Sequence, residues 1–221
     1  MLVVLEGLDG SGKSTQTELL ARWLSANGYD PLRIKLPHYE QPSSALVRQY
    51  LNGDFGRASS DVNAYAASMF YAVDRFAGFR TLWGEAYRRG RVVLADRYTT
   101  SNAYHQATKL PQSEWIAFFA WLEGLEYNKL GIPKPDLVLF LDMPTDVSKR
   151  LLSLRYGGDE SLRDIHEADD AYLLACRQTA LAAAETLGWY SIQCAQNNQP
   201  FSPEVIHESI RNIIAKHLAI R

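Results

Sequence analysis

The sequence opens with a short apolar run, Met1–Glu6 (MLVVLE), that leads straight into Gly7-Leu8-Asp9-Gly10-Ser11-Gly12-Lys13-Ser14. This octapeptide fits G-x-x-x-x-G-K-[ST], and Ser14–Ala26 behind it reads as a helix stopped at Gly28. Strand, glycine-rich turn and helix in that order leave few folds open. The glycines let the backbone curl until successive N–H groups point at one centre, and the positive end of the helix faces the same centre. Such a turn suits phosphate oxygens. Lys13 would then reach the β- and γ-phosphates of a nucleoside triphosphate, and the Ser14 hydroxyl would ligate Mg²⁺.

The rest of the chain continues the alternation of strand and helix. Val92–Asp96 (VVLAD) and Leu137–Asp142 (LVLFLD) read as interior strands, because continuous apolar runs mark strands covered on both faces. Leu32–Leu36 is a weaker strand and Trp189–Cys194 a final one. From about Val62 to Arg89, apolar residues recur at three- and four-residue steps (Tyr65, Met69, Ala72, Phe76, Phe79, Trp83), which predicts one long helix. Pro144 opens another helix, Asp169–Leu187 is an alanine-rich helix closed by Gly188, and Ser202-Pro203-Glu204 starts a C-terminal one. Five strands with intervening helices predict an α/β fold: a three-layer sandwich around a five-stranded parallel sheet. No repeat or low-complexity linker divides the 221 residues, so 1–221 reads as a single domain.

Composition narrows the partners. Lys and Arg number 23 against 25 Asp and Glu, a net charge of −2, so no basic excess exists to neutralise a nucleic-acid backbone. Cys176 and Cys194 lie far apart in sequence and suggest neither a zinc site nor a disulfide, but buried thiols of a reducing compartment. Apolar runs such as Ile116–Leu122 are too short to cross a bilayer. With the first motif beginning at Gly7, no room is expected for a signal peptide, and the expected location is the cytoplasm.

A phosphate cradle alone does not separate switches, motors and kinases. A GTPase switch carries N-K-x-D, and Asn128-Lys129-Leu130-Gly131 lacks the aspartate; the chain is also short for a motor. Small nucleotide kinases remain, and they need an acceptor site beside the donor site. In open parallel sheets, ligands bind beyond the carboxyl ends of the strands. Gly7–Ser14, Asp96-Arg97 and Asp142 all follow predicted strands and should converge on one rim. Arg97 suits an acceptor phosphate through its two-pronged guanidinium, and Asp96 suits a Mg²⁺ water or the acceptor itself. The ordinary alternative for this pair is a solvated ion pair at a strand end. Tyr71 and Arg75, spaced i, i+4, share a helix face, where a ring and a guanidinium suit a nucleobase; core packing of Tyr71 is the alternative.

Three segments resemble the thymidylate kinase family, across nearly the whole chain. They are Leu5-Glu6-Gly7-Leu8-Asp9-Gly10-Ser11-Gly12-Lys13-Ser14-Thr15-Gln16, the run Ala95-Asp96-Arg97-Tyr98, and Pro133-Lys134-Pro135-Asp136-Leu137-Val138-Leu139-Phe140-Leu141. The resemblance implies a three-layer P-loop kinase fold with a short mobile lid at about 155–170. It implies ATP as donor, Mg²⁺ as cofactor, transfer to thymidine 5′-monophosphate (dTMP) to give the diphosphate, and a homodimer. Another nucleoside monophosphate kinase, a deoxynucleoside kinase and a non-catalytic nucleotide-binding protein stay open as alternatives.

The resemblance also implies residue roles. Gly7, Gly10, Ser11, Gly12, Lys13, Ser14 and Thr15 fall on the triphosphate. Arg150, in Ser148-Lys149-Arg150, stacks on adenine, with the loop Ala195–Pro200 on its other side. On the acceptor, Asp9 binds the deoxyribose 3′-hydroxyl, Tyr71 takes the position of a phenylalanine beside Arg75, Tyr104 crowds the 2′ position, and Pro37 and Ser101 line the site. Gly10 and Ser11 leave no arginine in the P-loop, so the lid supplies it; Arg155 and Arg163 are the candidates, against solvated helix charges. Three departures bear on the acceptor assignment and leave a shifted base preference open. Leu36-Pro37-His38-Tyr39 lacks the arginine that some relatives use on the acceptor phosphate, Tyr71 replaces phenylalanine, and Leu173 stands where relatives carry an amide near the base. Ser101-Asn102-Ala103-Tyr104 also runs one residue shorter than the usual spacing.

Overall fold

Leu2–Glu6 forms β1, and every residue of it is buried because both of its faces are covered. Val3 and Leu5 turn to one side, where Leu20 and Leu24 of α1 (Lys13–Ala26) and Ile206, Ile210 and Ile214 of a C-terminal helix pack on them. Leu2 and Val4 turn to the other side, against Phe79, Trp83 and Tyr98. Period-two alternation in a five-residue strand thus builds two cores at once. A computed structural model gives this arrangement for residues 1–155, 157, 159 and 169–218.

Beyond α1 the chain runs through β2 (Leu32–Lys35), α2 (Ala45–Leu51), α3 (Ala64–Gly78), α4 (Gly84–Arg88), β3 (Val93–Asp96), α5 (Thr99–His105) and α6 (Trp115–Glu123). Then follow β4 (Leu137–Asp142), α7 (Thr145–Arg155), α8 (Asp170–Leu187), β5 (Tyr190–Gln193), β6 (Ala195–Gln196), β7 (Gln199–Pro200) and α9 (Pro203–Leu218). Five strands form one parallel sheet in the order β2-β3-β1-β4-β5, as the alternation of elements predicts. Central β1 pairs Leu5 with Asp96 of β3 and Glu6 with Phe140 of β4, so the carboxyl ends of these three strands share one rim. A hairpin of β6 and β7 occupies what the sequence reads as a plain loop.

The predicted helix over 62–89 is interrupted. α3 passes through a wide π-type turn, Phe79–Trp83, before α4 resumes. The physical reason lies at Gly84: a Cβ there would come within 2.2 Å of the Phe79 carbonyl oxygen, so the wide turn closes only on a residue without a side chain. Among the described residues, no helix is long and apolar enough to cross a membrane.

Candidate active site

The loop between β1 and α1 wraps a small volume at the rim. Gly10 adopts φ 80°, and a Cβ on it would lie 2.4 Å from the Ser148 carbonyl oxygen of α7, so only glycine lets the loop press against that helix. Gly12 caps α1 at φ 92° and, having no side chain, makes no cap hydrogen bond to it. Ser11 is buried and its amide donates to Leu8 O at 3.1 Å, while Ser14 and Thr15 are exposed on the first turn. Lys13, 6% exposed, folds back across the loop and donates to the carbonyls of Gly7 and Leu8, both at 2.9 Å. Burial and then the Arg97 guanidinium push the Lys13 ammonium down to about 8; Asp9, Asp96 and Glu6 resist that shift.

Ser14 reaches across to β3. Its hydroxyl donates to Asp96 Oδ2 at 2.6 Å, bringing two hard oxygen ligands side by side at the loop's edge. These donors fit Mg²⁺, which takes one or two protein oxygens and completes its shell with phosphate oxygens and water. Among the described residues no group of three or more His, Cys, Asp or Glu side chains could hold a metal ion.

Arg97 follows β3 directly and has φ 72°, a left-handed conformation costly for a residue with a Cβ. Its Nη2 donates to Asp9 Oδ1 at 2.7 Å, and its Nη1 lies 3.2 Å from Tyr104 Oη, 3.2 Å from His105 Nε2 and 3.4 Å from Ser101 Oγ. Burial would raise the Asp9 carboxyl, but Arg97 and Lys13 hold it well below the usual carboxylate range. Arg97 in turn is held firmly as a cation by Asp9, against its own burial. A second fixed positive charge therefore stands beside the phosphate cradle, with Asp9 between it and Lys13.

Tyr71 and Arg75 share a face of α3, but Arg75 is 3% exposed and two of its donors are taken. Its Nε and Nη2 bind the buried Glu126 carboxylate at 2.6 and 2.5 Å, and Nη1 lies 3.4 Å from Tyr98 O. Tyr71 is half-buried, with its ring edge-on to Tyr50. Pro37, after a cis peptide bond, and half-buried His38 begin the loop that ends β2; Asp74 of α3 ties that loop down through His38 N at 2.8 Å and Ser43 Oγ at 2.6 Å. Tyr39 is 43% exposed and Leu173 is buried.

On the far side of the cradle, Arg150 of α7 donates to the Asn198 carbonyl in the β6–β7 hairpin, joining the two elements assigned to the adenine. Asp142 is bound by Arg177 of α8 at 2.8 and 3.1 Å. α7 and α8 are joined by a Lys149–Asp170 ion pair at 2.7 Å. Arg163, and the Arg155 side chain at the end of α7, lie outside the described residues.

A P-loop at the end of the central strand, a Ser14–Asp96 pair and a second cation on the same rim are the layout of a kinase acting on a phosphorylated acceptor. The sequence profile of the thymidylate kinase family matches residues 5–210. The chain belongs to the thymidylate kinase family. The thymidylate kinase of Mycobacterium tuberculosis is 35% identical over 173 residues, covering 78% of this chain and 77% of that one. A probable thymidylate kinase of Pyrococcus horikoshii is 33% identical over 158 residues, 69% of this chain and 70% of its own. One from Methanothermobacter thermautotrophicus is 30% identical over 220 residues, spanning 100% of this chain and 97% of the relative.

As a thymidylate kinase family member the chain has two site residues turned differently from the expectation. Tyr104 has 0% exposure and its hydroxyl donates to Glu6 Oε2 at 2.9 Å, with Gly7 O at 3.1 Å, so the ring lies beneath the P-loop instead of facing a sugar. His105, one residue on, brings its Nε2 within 3.2 Å of the same Arg97 nitrogen. Ser101 is likewise turned inward, donating to both Glu6 oxygens at 3.0 and 2.8 Å. Glu6 and Glu126 are the functional neighbours that sequence reasoning missed. Their signal was a carboxylate inside an apolar stretch, at the end of MLVVLE and within Leu125-Glu126-Tyr127, where burial demands a partner.

Proposed function

We propose that this chain transfers the γ-phosphoryl group of ATP to dTMP, giving ADP and dTDP. The observation that carries the reading is Arg97, locked to Asp9 at 2.7 Å on the same rim as Lys13 and the Ser14–Asp96 pair. The amides of 7–15 and Lys13 take the triphosphate, and Arg150 with the β6–β7 hairpin takes the adenine. Ser14 and Asp96 would hold Mg²⁺, which when bound neutralises charge on the phosphate oxygens.

On the acceptor side Arg97 clamps the phosphate of dTMP, Asp9 meets the sugar, and Tyr71, Arg75 and Pro37 frame the base; Ser101 and Tyr104 support Arg97 from inside. An oxygen of the acceptor phosphate attacks the γ-phosphorus in line as the bond to the ADP oxygen breaks. Lys13, Arg97 and a lid arginine, Arg155 or Arg163, stabilise the charge on the moving group. Catalysis here is positioning and neutralisation, so fixed cations matter more than any nucleophilic side chain.

We also infer a cytoplasmic homodimer. Support for the pairing is an exposed apolar stripe on α3, Tyr65, Met69, Val73 and Phe76, spaced at four, four and three residues. An ADP-release assay over the common nucleoside monophosphates, with thymidine beside dTMP, tests the activity. Turnover of dTMP above the others is the expected result. Phosphorylation of thymidine in place of dTMP, or ADP release independent of every acceptor, would contradict it.

A further inference from the structure

Glu6 closes β1 with 0% exposure and is given no phosphate to touch in the mechanism above. A carboxylate persists in such a place only when its lone pairs are filled. Here they are filled by one stretch of chain. Tyr98 N–H donates to Oε1 at 3.1 Å and the Thr100 hydroxyl to the same oxygen at 2.6 Å. The Ser101 hydroxyl reaches both oxygens, and the Tyr104 hydroxyl reaches Oε2 at 2.9 Å.

All four residues lie in 98–104, which begins immediately after Arg97. That arginine needs an anchor, because φ 72° is unfavourable for it and something else must hold the turn. Its own amide donates to Leu5 O at 3.1 Å, one residue before Glu6 on β1. Tyr104 carries the connection further: with its proton given to Glu6, its oxygen accepts from Arg97 Nη1 at 3.2 Å. Arg97 Nη2 then holds Asp9. Glu6, Tyr104, Arg97 and Asp9 form a chain that starts under the P-loop and ends at its mouth.

We propose that Glu6 is a positioning residue for phosphoryl transfer, fixing the Arg97 turn relative to the P-loop and so the spacing of acceptor and donor phosphates. The inference rests on the reading of Arg97 as the acceptor clamp.

The test is the full-length chain with Glu6→Gln, which keeps the shape and removes the charge. Wild-type protein is assayed first: failure to turn over dTMP there strikes the proposed function, not Glu6. With wild-type turnover established, the folded variant should show a KM for dTMP raised roughly tenfold or more, as losing a charge-assisted anchor implies, with the KM for ATP little changed. That split between the two KM values is a change that a merely architectural glutamate would not cause. A folded variant with an unchanged KM for dTMP, or with both KM values raised alike, overturns the proposal. If Glu6→Gln does not fold, Thr100→Val carries the test, since it removes the shortest donor and keeps the charge. It should raise the KM for dTMP several-fold and leave the KM for ATP little changed. An unchanged KM for dTMP in that variant overturns the proposal as well.

Discussion

Lys13 has to be charged to act on phosphates, yet it lies 6% exposed next to Arg97. With its ammonium pushed down to about 8, it loses its proton as pH rises through that value in the nucleotide-free protein. The kcat/KM for ATP should therefore decline above about pH 8, which a pH–rate profile checks. Lys13→Ala should lower kcat by about a thousandfold, because the charge acts mainly in the transition state, while the melting temperature stays near wild type. Arg75 presents the opposite case. Its charge is neutralised inside the protein by Glu126, and Glu126→Gln leaves a buried guanidinium without its partner. That should cost about 3–5 kcal/mol and lower the Tm by on the order of 10 °C. A thermal melt indistinguishable from wild type would show that the pair is not structural. Lys13 and Ser14 were legible in the sequence because their chemistry is local to eight residues. The partners of Arg75 and Arg97 were not, since Glu126 is 51 residues from one and Asp9 is 88 from the other, and no spacing rule links them.

At the scale of elements, α3 shows what periodicity can and cannot tell. Apolar residues at three- and four-residue steps do mark a helix, but they serve two different surfaces. Ala72 is buried, as are Phe79 and Trp83 beyond the helix, whereas Tyr65, Met69 and Phe76 remain 38–40% exposed. A moment summed around the helix cannot separate a core face from an interface face. If the outer stripe pairs two copies, Met69→Glu should give a folded monomer by light scattering, with a wild-type far-ultraviolet spectrum; a dimer that survives the charge would place the contact elsewhere. The π-type turn was illegible for a different reason. Its requirement is a missing side chain at Gly84, and a lone glycine in a helical pattern ordinarily signals only a weaker helix. α5 was missed because Thr99–His105 is polar in composition yet buried along Thr99–Tyr104, its hydroxyls turned toward Glu6 and Glu126 in place of water.

Across the whole molecule, alternating strand and helix dictated the parallel sheet, and ligand binding beyond the carboxyl ends of such strands put the loop after the first strand on the binding rim. The strand order itself, β2-β3-β1-β4-β5, required the structure. It is this order that puts Asp96 and Arg97 beside the loop that begins at Gly7, although about 90 residues separate them in sequence. The central claim is that one rim holds two nucleotides with their phosphates facing. A crystal of the protein with dTMP and a non-hydrolysable ATP analogue tests it most directly. The terminal phosphate should lie on the amides of 7–14 and Lys13, and the dTMP phosphate on Arg97 within reach of it. The two nucleotides bound apart, or dTMP bound away from Arg97, would contradict it.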